Sequence, residues 1–146
     1  MKLAFGCDPN ANTLKQALIA TAKALGHDVT DLGSDDPVYA NVAADVARAV
    51  ACGRFDRGVV VCGTGIGVSI AANKVKGAYC ALVSDIYQAQ RATLSNNANM
   101  IAMGEQVIGI EVAKALLTEY LAHTFDPGSR SGVKVARIVE IEGEQP

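Results

Sequence analysis

The run Val59-Val60-Val61-Cys62-Gly63-Thr64-Gly65-Ile66-Gly67-Val68-Ser69 constrains this chain more than any other stretch. Uninterrupted β-branched residues suit a strand covered on both faces, as in a parallel sheet. Glycines at 63, 65 and 67 then remove side chains at alternate positions, so backbone N–H groups can turn toward a bound anion. The following helix, carrying Ile70-Ala71-Ala72-Asn73-Lys74, adds its unpaired N-terminal donors and the positive end of its dipole. A thiol, Cys62, stands at the lip of this cradle, and a hydroxyl, Thr64, sits within the turn. Two readings follow from these residues. Either a nucleophile or base is held beside an anion cradle, or the glycines only make a tight turn and Cys62 is a small buried hydrophobe. The spacing is not the dinucleotide pattern G-x-G-x-x-G.

Strand-like and helix-like segments alternate along the rest of the chain. Strands are predicted over 2–7, 27–32, 58–62, 77–83 and 99–103. Helical periodicity or capping marks 13–25, 38–52, the stretch after the glycine turn to about 75, 85–95 and 108–123. Polar loops lie at 8–12 and 33–37. This order predicts an α/β fold: a Rossmann-like open parallel five-stranded sheet with helices on both faces and right-handed crossovers. Residues 1–146 read as a single domain. A C-terminal tail, 124–146, holds a short helix near 133–141 and is expected to pack on a partner subunit or over the site. Ligands of such sheets sit beyond the carboxyl ends of the strands. Cys7-Asp8, Cys62-Gly63-Thr64 and Ser84-Asp85 all fall there.

Composition narrows the partners. Thirteen basic and fifteen acidic residues leave a net charge of −2, whereas nucleic-acid or anionic-membrane binding calls for a basic surplus. No apolar run approaches the ~20 residues of a membrane helix, and the amino terminus runs into a strand pattern rather than a signal peptide. The four cysteines are scattered without a C-x-x-C pair, and His27 and His123 stand far apart. Neither a metal site nor a disulfide framework is expected, and reduced thiols point to a cytoplasmic protein.

A thiolate stabilised by amide donors and a helix dipole is a competent general base. The same amides stabilise an oxyanion developing on a neighbouring substrate atom. Base plus cradle fits proton abstraction beside a carbonyl through an enediolate. Arg130, Lys134 and Arg137 form a cationic group at roughly helical spacing, which a substrate phosphate would explain. A solvated charged tail is the plainer account of the same residues.

Gly6-Cys7-Asp8, the block Cys62-Gly63-Thr64-Gly65-Ile66-Gly67 with Ser69-Ile70-Ala71-Ala72-Asn73-Lys74, and Asn96-Asn97-Ala98-Asn99 followed by Met103-Gly104 resemble the ribose-5-phosphate isomerase B / galactose-6-phosphate isomerase family. The resemblance runs over essentially the whole chain. It implies a cofactor-independent aldose–ketose isomerase of sugar phosphates, a homodimer or dimer of dimers, and sites at the subunit interface. It assigns Cys62 as general base, with Thr64 and Asp8 handling the carbonyl and hydroxyl protons. The amides of Gly63, Gly65, Ile66 and Gly67 become the oxyanion cradle. Tyr39, in a D-x-P-x-Y pattern, and Asn96 contact substrate, while Arg130 and Lys134 bind phosphate.

Three positions depart from the ribose-type pattern: Pro9 and Ser95 stand where it has histidines, and Gln106 where many members have an arginine. The enediolate half of the pattern is intact, while the ring-opening and phosphate halves are altered. A four-carbon sugar phosphate is therefore expected as substrate rather than ribose 5-phosphate. A non-catalytic phosphate-binding or sensor module on the same fold is the alternative.

Overall fold

The computed structural model describes residues 1–33 and 35–144. Five strands, β1 (Lys2–Cys7), β2 (Asp28–Asp31), β3 (Arg57–Cys62), β4 (Cys80–Leu82) and β5 (Met100–Gly104), form one sheet in the order β2-β1-β3-β5-β4. Every pairing is parallel. The helices are α1 (Asn12–Ala24), α2 (Tyr39–Ala51), α3 (Ile66–Ala72), α4 (Ile86–Leu94), α5 (Ile110–Leu121) and α6 (Gly132–Glu144). From β1 the chain crosses to β2 on one side, and from β3 it crosses toward β4 on the other. The crevice between the carboxyl ends of β1 and β3 is thus the switch point of the sheet.

The alternation within β3 shows why a strand without polar interruption belongs here. Val59 and Val61 face a layer containing Leu14 and Leu18 of α1 and Leu116, Leu117 and Tyr120 of α5. Val60 and Cys62 face the opposite layer, with Ala43 and Val46 of α2 and Val68 and Ala72 of α3. Both faces of the strand are covered, so neither can be polar. Period two also decides that the Cys62 side chain lies under α2 and α3 rather than under α1.

Several boundaries differ from expectation. β4 is three residues long rather than the seven of 77–83. Gly77 turns in the left-handed region (φ +84°), and the amides of Tyr79 and Cys80 go to the side chains of Asn99 and Asn73, both at 2.8 Å. Asn73 also donates to the carbonyls of Ser69 (2.9 Å) and Cys80 (2.8 Å), so it ties the end of α3 to the start of β4. α3 ends at Ala72, short of 75, and α5 starts at Ile110 rather than 108, behind an N-cap at Gly109. α6 exceeds 133–141 at both ends. Of the expected loop 33–37, Ser34 lies outside the described residues, as do Gln145 and Pro146 of the tail.

The tail neither covers the β1–β3 crevice nor lies loose. Glu142 accepts from the Gly77 amide (2.8 Å) and the Tyr79 hydroxyl (3.0 Å), fastening the far end of α6 to the amino end of the β4 edge. Among the described helices none is long and apolar enough to cross a membrane.

One buried charge sits beneath the β2 edge. The Lys15 side chain, 1% exposed, places its ammonium 2.8 Å from Asp31. Asp31 also accepts from Gln16 (3.0 Å) and the Gly33 amide (3.0 Å). Burial pushes the Asp31 carboxyl up, but hydrogen bonds from Lys15 and Gly33 outweigh it and hold it below its ordinary value. Removing one partner strands a buried charge, whereas an apolar replacement of similar volume avoids desolvation. Asp31→Ala is expected to lower stability by about 2 kcal/mol, discounted because Asp31 is about one-third exposed, and Lys15→Met by under about 1 kcal/mol. A group with a lowered folded pKa stabilises above its unfolded value and stops doing so as pH falls through the folded one. The gap between wild type and Asp31→Ala, read from urea midpoints, should therefore narrow in acid.

Candidate functional site

The site is assembled by main-chain hydrogen bonds that run past the last residues of three strands. Asp8 donates its amide to the Val61 carbonyl (2.9 Å), Glu105 to Cys62 (2.9 Å) and Gln106 to Gly63 (2.9 Å). These rungs set Asp8, Cys62-Gly63 and Gln106 side by side at the carboxyl end of the sheet. There they line a cavity of about 260 Å³ together with Asn10, Tyr39, Thr64 and Gly67. A sugar of a few carbons fits within such a space.

Three polar groups in the cavity, Cys62, Thr64 and Asp8, are each oriented by a local bond. The Gly65 amide points at Cys62 Sγ (3.1 Å), in a turn that Gly65 makes at φ +78°. The Ile66 amide donates to Thr64 Oγ1 (3.3 Å), which leaves the Thr64 hydroxyl proton to point elsewhere. Asp8 Oδ1 accepts from the Asn10 amide (2.9 Å), capping the single 3-10 turn Pro9–Ala11, so its second oxygen is available to a ligand. Two of the amides expected to form the oxyanion cradle are therefore turned onto side chains of the site instead. The Gly63 amide and Gly67, in the first turn of α3, border the cavity beside them. α3 has only seven residues, so single amides matter more here than a helix dipole.

Cys62 is 6% exposed yet lines the cavity, which separates it from the other cysteines. Cys7 and Cys80 are buried and Cys52 is exposed. Burial pushes the Cys80 thiol up to about 12, so it stays protonated. Among the described residues no three His, Cys, Asp or Glu side chains are grouped as a metal site.

The structure brings together Asp8, Tyr39, Cys62, Gly63, Thr64 and Gly67, with Gly65 and Ile66 in the turn between them. It does not bring the remaining expected residues to this cavity. Asn96 bonds the Arg91 carbonyl (2.9 Å) and lines a different cavity with Tyr79, Cys80 and Ala98, at the amino ends of β4 and β5. Arg130 and Lys134 head α6, which is fastened to that same edge, and neither forms an ion pair among the described residues. Arg137 leaves the expected cationic group: Glu140 (3.2 Å) and Glu144 (2.6 Å) on its own helix pair with it. Both histidines are at the amino edge too. His27 lies 3.3 Å from the Met1 amine, and His123 pairs with Glu119 at 2.7 Å while its carbonyl accepts from Arg57 at the start of β3. Ser84, expected at the carboxyl end, lines a neighbouring apolar cavity of about 210 Å³ that shares Thr64, and Asp85 is spent capping α4 at 2.9 Å.

Asn10 and Gln106 also line the cavity, although neither was expected to act there. Gln106 was visible only as a departure from a pattern. Asn10 had one signal, its position in the polar loop directly after a strand end.

Three comparisons place this geometry among known proteins. The family model described as "Ribose/Galactose Isomerase" matches residues 3–138. D-erythrulose-4-phosphate isomerase 2 of Mycolicibacterium smegmatis is 44% identical over 98% of this chain and 98% of its own. Ribose-5-P isomerase B of Listeria innocua is 42% identical over 97% of both. Among solved structures, ribose-5-phosphate isomerase B of Clostridium thermocellum superposes with a TM-score of 0.92 at 37% identity, covering 99% of each chain. Every residue that lines the Cys62 cavity falls within the matched span, and the chain belongs to the ribose/galactose isomerase family.

Proposed function

We propose that this sugar-phosphate isomerase interconverts aldose and ketose forms through an enediolate, with Cys62 as the base. The observation that carries the assignment is the Gly65 amide aimed at Cys62 Sγ on the wall of a cavity that also holds Asp8 and Thr64. Cys62 removes the proton on the carbon beside the carbonyl. The Thr64 hydroxyl, its oxygen already occupied by the Ile66 amide, donates to the carbonyl oxygen as charge develops there. The free oxygen of Asp8 carries the hydroxyl proton between the two oxygens, and Cys62 returns its proton to the neighbouring carbon. Tyr39 and the Gly63 and Gly67 amides hold the substrate. A non-catalytic module on this fold is not favoured, because the groups of the reaction centre are each oriented toward one cavity.

The phosphate needs a cation, and the residues lining this cavity include none. Arg130, Lys134 and Asn96 lie at the other edge of the sheet, so we infer that a second copy presents them to the Cys62 cavity, in a homodimer or a dimer of dimers. Exposed apolar side chains beside the site support this: Ile66, Ile70, Leu82, Ile86, Val107 and Tyr87, the last 69% exposed. Such a cluster is a common mark of an interface. The free thiols of Cys52, Cys62 and Cys80 suit a reducing cytoplasm.

The substrate reading rests on what the cavity holds. Ribose 5-phosphate closes a ring through its 4-hydroxyl and must be opened before it can isomerise. A tetrose or tetrulose phosphorylated at its terminal oxygen has no hydroxyl left for a five-membered ring. Pro9 and Ser95 stand where ribose-type members have histidines, and the two histidines of this chain are engaged within it, His27 with the Met1 amine and His123 with Glu119. We therefore assign a tetrulose/tetrose 4-phosphate, the class named in the M. smegmatis relative.

Cys62→Ala should lower kcat by ~10²–10⁴ without changing the fold, since that is the span over which general bases contribute. Near-normal turnover would move the base role to Asp8. Arg130→Ala should raise KM with little change in kcat, because a phosphate remote from the reacting carbons is held alike in ground and transition states. A fall in kcat at constant KM would mean that Arg130 is not a phosphate anchor. Finally, kcat/KM measured on one preparation should be higher for erythrulose 4-phosphate than for ribose 5-phosphate. Preference for ribose 5-phosphate by about tenfold or more, about 1.4 kcal/mol in transition-state binding, ends the four-carbon reading.

A further inference from the structure

The wall of the cavity opposite the strand ends is set by a contact made before any substrate arrives. Tyr39 opens α2, and its ring edge lies directly against Gly67 in the first turn of α3. A Cβ built on Gly67 would stand 2.6 Å from Tyr39 Cε2, Cζ and Oη. Any side chain at 67 would therefore push the ring away. Tyr39 is itself 40% exposed, so burial does not hold it there.

What holds it is on the loop side. Asp36 Oδ1 accepts from the Val38 amide at 2.7 Å, and Oδ2 accepts from Asn41 Nδ2 at 3.0 Å. The two bonds bracket Tyr39 in sequence and fix how the chain enters α2, whose N-cap, Val38, supplies no side-chain bond of its own. The Val38 and Asn41 hydrogen bonds also hold the Asp36 carboxyl below its ordinary value, so it stays ionised at neutral pH.

We propose that Asp36 is a positioning residue of this enzyme: it locks the first turn of α2 so that Tyr39 docks across Gly67 and walls the cavity over Cys62. Asp36 touches no substrate in this scheme. It acts on substrate binding, and on access to the thiol, through Tyr39. The inference rests on the Cys62 cavity being the reaction site.

Two readouts test it, one of them independent of turnover. In a Cys52→Ser background, which removes the exposed competing thiol, Cys62 alkylation by iodoacetamide is timed by peptide mass spectrometry. KM and kcat are measured with erythrulose 4-phosphate. Asp36→Ala should raise KM about fivefold, leave kcat within about twofold, and speed alkylation about threefold, as loss of ground-state positioning does. Asp36→Asn keeps an oxygen for the Val38 amide and should stay within about twofold of wild type on both. Gly67→Ala should displace the ring and speed alkylation like Asp36→Ala. In a Tyr39→Ala background, Asp36→Ala should change neither quantity, because the residue it positions is gone.

Equal effects of Asp36→Ala with and without Tyr39 overturn the proposal. So does a loss of thermal stability with KM and alkylation unchanged, which assigns Asp36 to the fold alone. A wild type that isomerises no sugar phosphate sinks the reaction reading instead, and the alkylation series still decides whether Asp36 sets the wall.

Discussion

The hydrogen bond from the Asp8 amide to the Val61 carbonyl extends the β1–β3 ladder one rung past the end of β1, and the geometry of the site depends on it. A parallel ladder fixes not only which residues are neighbours but which face each side chain takes. With Cys7 paired to Val61, Asp8 must emerge beside Cys62, and both leave the sheet at the point where crossovers diverge. The same logic continues on the other side of β3, where Glu105 and Gln106 extend the β5 pairing. Three loops from three strands thus meet around one thiol without any long-range side-chain contact being needed to hold them.

The cysteines show how burial and lining separate chemistry from packing. Cys80 lies at the start of an edge strand, next to Ser69 and Asn73, and its thiol is held protonated by burial. Cys62 has nearly the same exposure, but its sulfur takes an amide and opens onto a cavity. Both thiols line a cavity at similar exposure, and what distinguishes them is the Gly65 amide on the Cys62 sulfur and the Asp8 and Thr64 side chains that share its cavity. A buried thiol with an inward amide and an outward face is what proton transfer to a bound carbon requires.

The tail of the chain is fastened away from the Cys62 cavity. The cavity is lined by Asp8, Cys62 and Thr64 and by no cation, while the end of α6, the helix that carries Lys134, is fastened at the far edge. Arg57 marks the turning point: at the foot of β3 it donates to the carbonyls of Tyr120 and His123 and so fastens the end of α5. From there the chain can only run along the amino edge, where Glu142 pins it. A helix so fastened adds no side chain to the lining of the Cys62 cavity.

Much of this was legible in the residues. The valines of β3, the left-handed glycine turn and the strand–helix alternation carry the α/β sheet in local terms, because periodicity and backbone freedom are local properties. Asp8, Cys62 and Thr64 were legible as a group because the ends of parallel strands must gather on one edge. The short β4, the neutralised Arg137 and the roles of Asn10 and Gln106 were not. Each depends on a partner: Asn73 and Asn99 for the strand, Glu140 and Glu144 for the arginine, the β5 extension for the glutamine. Sequence alone determined the fold class, the edge at which Asp8, Cys62 and Thr64 gather, and the family pattern. Only the tertiary structure decided that Asn96 and the end of α6 stand at the opposite edge from Cys62, since which end of the sheet a returning helix is fastened to is set by contacts between residues distant in the chain.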